Sequence, residues 1–144
     1  SINTAMAVEL PGVVLDTNIL VSAIIWDGKP RQILKLALSK EIRVVISPFI
    51  MAELIDVLVK KFGFAPTKIT VVEKKIKNIA AMVYPAKSIK ILKDAPDNRV
   101  LEAAIAGNCG FVITGDKELL KLGGFQNIKI VSANNFLEIF SAGQ

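Results

Sequence analysis

Short apolar runs alternate with stretches of helical period along almost the whole chain. VVL (13–15), RVVIS (43–47), FVIT (111–114) and IKIVS (128–132) are rich in β-branched residues and lack in–out alternation. That pattern predicts strands buried on both faces. A further short strand is expected near 82–84. Between the runs, PRQILKLALSK (30–40) places apolar residues at helical spacing, and Ser47 followed by Pro48 reads as the cap and first turn of a helix reaching Lys61. Residues 67–81 predict a lysine-rich helix, and 98–106 one that stops at Gly107 and Asn108. KELLKL (117–122) and NNFLEIF (134–140) predict two more. Strands and helices in strict alternation imply right-handed crossovers. The expected fold class is therefore α/β: a central, mostly parallel sheet of about five strands with helices on both faces. No repeat, low-complexity tract or linker interrupts the pattern, so residues 1–144 read as a single domain. Residues 1–12 are expected to be flexible, with Met6 the natural start and the preceding residues appended.

One position breaks the pattern. In VVLDTNILVSAII (13–25) an aspartate, Asp16, followed by Thr17 and Asn18, interrupts a run that is otherwise apolar. Desolvating an unpaired carboxylate is costly, so Asp16 marks a strand end, a chemical role, or both. Asp116 follows FVITG in the same way, and KDAPDN sets Asp94 and Asp97 in a loop ahead of the helix expected from Asn98. In open α/β sheets, ligands bind outside the carboxyl ends of the strands. Taken singly, each aspartate reads as a helix N-cap. Taken together they would converge on one small region and repel one another unless a divalent cation sat between them. Oxygen donors suit Mg²⁺ or Mn²⁺.

Composition narrows the chemistry. The chain has no histidine and a single cysteine, Cys109. That excludes Ser-His and Cys-His nucleophilic systems and most zinc sites. It also excludes an internal disulfide, which fits a reducing cytoplasm. Hydrophobic residues make up 52% of the chain and the mean hydropathy is +0.50. No window approaches the roughly 18 uninterrupted apolar residues of a membrane span, and the N-terminal stretch lacks the pattern of a signal peptide. The apolar surplus points instead to an oligomer interface, in the simplest case a homodimer. Net charge is +5, and nine of the eighteen basic residues lie between Lys60 and Lys93, where Glu73 is the only acid. Such a segment is either a solvated helical surface or a surface for a polyanion.

Two α/β alternatives lose ground on these residues. A haloacid-dehalogenase-type phosphatase would want a second aspartate where Asn18 stands, and a dinucleotide fold would want a glycine-rich turn where LDTNIL stands. By contrast LDTNILVSAI, SPFIMAELIDVL, DNRVLEAAIAG and ITGDKELL, in this order, resemble the PIN domain, most closely its VapC-like toxin ribonucleases. The likeness extends from about Val13 to Phe140. It implies a ribonuclease dependent on Mg²⁺ or Mn²⁺ that hydrolyses RNA phosphodiester bonds, with a cognate antitoxin as partner.

Residue by residue, the resemblance makes Asp16, Glu53, Asp97 and Asp116 the acidic, metal-binding and catalytic set, with Asn18 and Thr114 as polar support. The third motif often carries adjacent acids, whereas here Asp97 is followed by Asn98 and Asp94 lies three residues earlier. Asp94 and Asp97 therefore both stand as candidates for the third ligand. Glu53 rests on the resemblance alone: on a helical wheel it lies beside Asp56 and Lys60, and periodicity reads it as a solvated position. Arg99, close to Asp97, is a candidate for the scissile phosphate or for a surface ion pair. A non-catalytic PIN-like module that binds RNA or protein is the rival reading, and a small phosphatase is a third.

Overall fold

The computed structural model describes residues 9–143. The expectations for residues 1–8 lie outside that range. The chain runs β1 (Gly12–Leu15), α1 (Thr17–Ile25), α2 (Lys29–Leu38), β2 (Arg43–Ile46), α3 (Pro48–Phe62), α4 (Pro66–Ile79), β3 (Ala80–Met82), α5 (Ala95–Ala106), β4 (Phe111–Ile113), α6 (Lys117–Leu122), β5 (Gly124–Phe125), β6 (Ile128–Val131) and α7 (Ala133–Ala142). The strands form one sheet in the order β3-β2-β1-β4-β6-β5, parallel throughout except for β5 against β6.

The expected architecture is present, with six strands rather than five and seven helices around the sheet among the described residues. β1 lies at the centre and every residue of it is buried, which is what its unbroken apolar run requires. From β1 the chain builds outward through β2 to β3, then returns to lay β4 against the other side of β1. The order therefore reverses between β1 and β4, and this switch point opens a crevice at their carboxyl ends. α5 packs against β1, β2 and β4, while α1 packs against α2 and α3. Among the described residues no helix is long and apolar enough to cross a membrane.

Three boundaries differ from expectation. β5 is only two residues long and pairs antiparallel, too short to leave a periodic trace. The lysine-rich helix ends at Ile79, two residues early, because β3 pairs with β2 from Ala80 onward. Most consequential, α5 begins at Ala95 with Pro96 in its first turn. Proline at that place is pre-organised for a helix, since its fixed φ fits and its missing N–H has no partner to lose. Asp94 is consequently the N-cap residue and Asp97 lies inside the helix, not in a loop before it.

The long connection from β3 to α5 is held from α5 itself. Asn98 is buried; its Oδ1 accepts the Leu92 N–H at 2.9 Å and its Nδ2 donates to the Leu92 carbonyl at 2.8 Å. One turn on, the Glu102 Oε2 accepts the Ile89 N–H at 2.8 Å. Truncating Asn98 leaves a backbone donor and acceptor without partners, which costs about 1–3 kcal/mol. Urea denaturation of Asn98→Ala is expected to show that loss. Asn78→Ala, on the exposed side of α4, should stay within about 0.5 kcal/mol of wild type.

Candidate metal centre

Three strand-to-helix junctions meet at the crevice between β1 and β4. Asp16 directly follows β1 and caps α1: its Oδ1 accepts the Thr17 N–H at 2.7 Å. Its Oδ2 accepts the Thr114 hydroxyl at 2.7 Å. Thr114 follows β4, is fully buried, and its oxygen also accepts the Asp116 N–H at 2.9 Å. Asp116 in turn caps α6 through its Oδ1 and the Leu119 N–H at 3.0 Å. A single threonine hydroxyl thus ties the end of β1 to the turn after β4.

The N-cap reading of Asp16 and Asp116 is therefore correct but incomplete. Burial pushes the Asp16 carboxyl up, against the hydrogen bonds from Thr114 and Thr17 that favour its charged form, and the charges of Asp116 and Glu53 push the same way. Asp97 is the more exposed case electrostatically, although its side chain is buried. Its pKa is raised to about 7, first by desolvation, then by the charges of Asp116, Asp94 and Asp16, and by a hydrogen bond with Asp116 that needs a shared proton. Its Oδ2 is buried without any hydrogen-bond partner.

Glu53 joins the cluster from α3. It is half-buried, and the Thr17 hydroxyl donates a short hydrogen bond to its Oε1. Its helical neighbour Asp56 instead pairs with Lys60 in solvent, at 2.9 Å. Periodicity placed the two glutamate and aspartate side chains together, and a tertiary partner on α1 separates them. Thr17 was not among the sequence candidates, although a hydroxyl next to Asp16 at a helix start was its visible signal.

Asn18 lies exposed in the first turn of α1, and Asp94 is exposed at the start of α5 with no capping bond from its side chain. Of the two third-ligand candidates, Asp97 is the one buried among the other acids. Arg99 is not part of the cluster. Its Nη2 donates to Glu102 at 2.8 Å and to the Ile89 carbonyl at 3.2 Å, the ion pair of its two readings.

The donor set suits a hard divalent cation. It consists of carboxylate and hydroxyl oxygens, and the chain offers no histidine. No lysine or arginine among the described residues forms an ion pair with Asp16, Glu53, Asp97 or Asp116. The neighbouring acids push the carboxyls of Asp16 and Asp97 up, yet among the described residues no three acidic side chains are gathered closely enough to hold a metal ion.

Comparison with known proteins agrees with this fold. A family model described as PIN domain matches residues 12–118. No curated protein matches the chain. Among solved structures, a chain of VapBC2 from Rickettsia felis, crystallised bound to a DNA fragment from their promoter, is similar in fold. It superposes with a TM-score of 0.55 at 21% identity, over 83% of this chain and 96% of that one. With the match spanning all three acid-bearing junctions of the crevice, the chain belongs to the PIN domain family.

Proposed function

We propose that this protein is a divalent-metal-dependent endoribonuclease, acting as the toxin of a toxin–antitoxin pair. The observation that carries the reading is the buried, unpartnered Asp97 Oδ2 beside Asp116, Asp94 and Asp16, in a cluster that no basic side chain neutralises. Asp16, Asp97 and Asp116 would hold Mg²⁺ or Mn²⁺, and Glu53 would hold a second ion or orient a water. Bound there, the metal would polarise the phosphodiester and activate water for hydrolysis.

The chain's own residues would do the rest. Thr114 holds Asp16 in one rotamer and Thr17 holds Glu53, so the acids meet the substrate without first having to order. Asn18, exposed at the rim, would support the water shell. Lysines between Lys60 and Lys93 would track the RNA backbone, contributing affinity without sequence choice. The VapC-like motifs and the fold shared with a VapBC2 chain support a cognate antitoxin as partner. Exposed apolar side chains, among them Trp26 and Leu38, support a homodimer.

The purified protein is expected to cleave single-stranded RNA with Mg²⁺ or Mn²⁺ and to stop on addition of EDTA. Cleavage untouched by chelation would contradict the metal mechanism. Asp16→Asn should retain the fold and lose most of the rate, at least about 100-fold; full activity in that variant would remove Asp16 from the site.

Stability should follow the same charges. The folded pKa of Asp97 lies near 7, above the model-peptide value of 3.8, so the native state binds more protons than the unfolded chain between those values. Its contribution to stability is thus favoured at acid pH and lost as pH rises through about 4 to 7. Compared with wild type, metal-free Asp97→Asn should gain melting temperature progressively over that window. A divalent ion that binds only the native state adds about 2.7 kcal/mol at a hundredfold excess over Kd. Millimolar Mn²⁺ should therefore raise the wild-type melting temperature by several degrees, more at pH 8 than at pH 5. Equal responses at both pH values, or an equal response in Asp97→Asn, would contradict the assignment.

A further inference from the structure

Away from the acids, the carboxyl edge of β2 and β3 carries a surface that metal chemistry does not explain. Phe49, in the first turn of α3, is 43% exposed, and Tyr84, just beyond β3, is 75% exposed. Both line one groove of about 270 Å³, whose wall includes Arg99 and Glu102. Phe49 lies one helical turn before Glu53, so the two share a face of α3.

Tyr84 also borders two neighbouring grooves. One of about 580 Å³ reaches Lys77 on α4, and one of about 310 Å³ reaches Lys87 in the connection after β3. The three grooves share Tyr84, and Lys77 and Lys87 each border one of them. The acids along them are already matched: Glu73 pairs with Lys77 at 3.6 Å, and Glu102 pairs with Arg99 at 2.8 Å. Arg99 still has an Nε–H that is buried without an acceptor.

We propose that the groove lined by Phe49 and Tyr84 binds the unpaired bases of a single-stranded RNA, with the two rings as stacking platforms. The inference rests on the ribonuclease reading and adds how the substrate is held. Tyr84 lies within the segment 60–93, which holds nine basic residues and one acid, and such a segment suits a polyanionic strand better than a neutral ligand. The exposed aromatic rings of the groove offer π-faces that any base can meet. Duplex RNA, with its bases already stacked, has nothing to offer these rings.

The test is binding of a fluorescein-labelled single-stranded oligoribonucleotide by fluorescence anisotropy, with Asp16→Asn as background so that the strand stays intact. Tyr84→Ala and Phe49→Ala should each weaken binding about 5- to 150-fold, the range of one lost base stack. Tyr84→Trp should restore it. Neither alanine variant should change the dependence of log Kd on log salt, whereas Lys87→Ala should lower that slope by about 0.7. An abasic strand of the same length, and a duplex, should bind wild type and Tyr84→Ala alike. The high exposure of Tyr84 means that its variants should melt with wild type.

Unchanged single-strand binding in both alanine variants, with the original chain still cleaving RNA, would overturn the stacking proposal and leave the nuclease reading intact. That result would assign the aromatic surface to a protein partner. Failure of the original chain to bind or cleave RNA at all would overturn both.

Discussion

The Thr114 hydroxyl is the point on which the site depends. It is fully buried, donates to the Asp16 carboxylate and accepts the Asp116 N–H, so one oxygen fixes the ends of two adjacent strands against each other. A hydroxyl has one proton to give, and here Asp16 receives it. The acceptor side is used by the backbone amide that starts the turn into α6. Valine at this position would fill much the same space and fasten neither junction. The sheet supplies the setting, because β1 and β4 are neighbours only at the switch in strand order.

Satisfying Asp16 and Asp116 this way leaves the electrostatic difficulty with Asp97. Helix α5 carries it into the crevice from a third junction, and no donor meets its Oδ2. Desolvation and the neighbouring acids both oppose the charge of Asp97. The same arrangement explains how a chain of net charge +5 can hold a compact acidic pocket: its lysines are concentrated elsewhere, across α4 and the connection beyond β3. Opposite charges are thus separated into an acidic crevice and a basic surface.

Much of this was legible in the sequence, for reasons that differ residue by residue. Asp16 announces itself because VVL is buried on both faces and a carboxylate ends it. Asp116 follows the same logic after FVIT. The N-terminus of α3 was marked by Ser47 and Pro48, and Ser47 does accept the Ile50 N–H at 3.3 Å. KDAPDN reads as a loop ahead of a helix from Asn98, yet proline in the first turn carries the helix back to Ala95. Glu53 could not be separated from Asp56 by periodicity, since what separates them is Thr17, distant in sequence and adjacent in space. The sequence leaves Arg99 open between a phosphate ligand and an ion pair, and the structure pairs it with Glu102, three residues on along α5. The grouping of Phe49 with Tyr84 had no sequence signal, because it arises from β2 and β3 lying side by side.

The central claim is that the buried acids form a cation site completed by Asp97. It is tested most directly by anomalous diffraction at the manganese edge from crystals of the protein grown with Mn²⁺. The account predicts a peak in contact with Asp97 Oδ2 and at least one carboxylate oxygen of Asp16 or Asp116, at about the 2.0–2.2 Å of hard-cation–oxygen bonds. No peak at the crevice at saturating Mn²⁺, with Asp97 Oδ2 instead engaged by a protein donor, would contradict it.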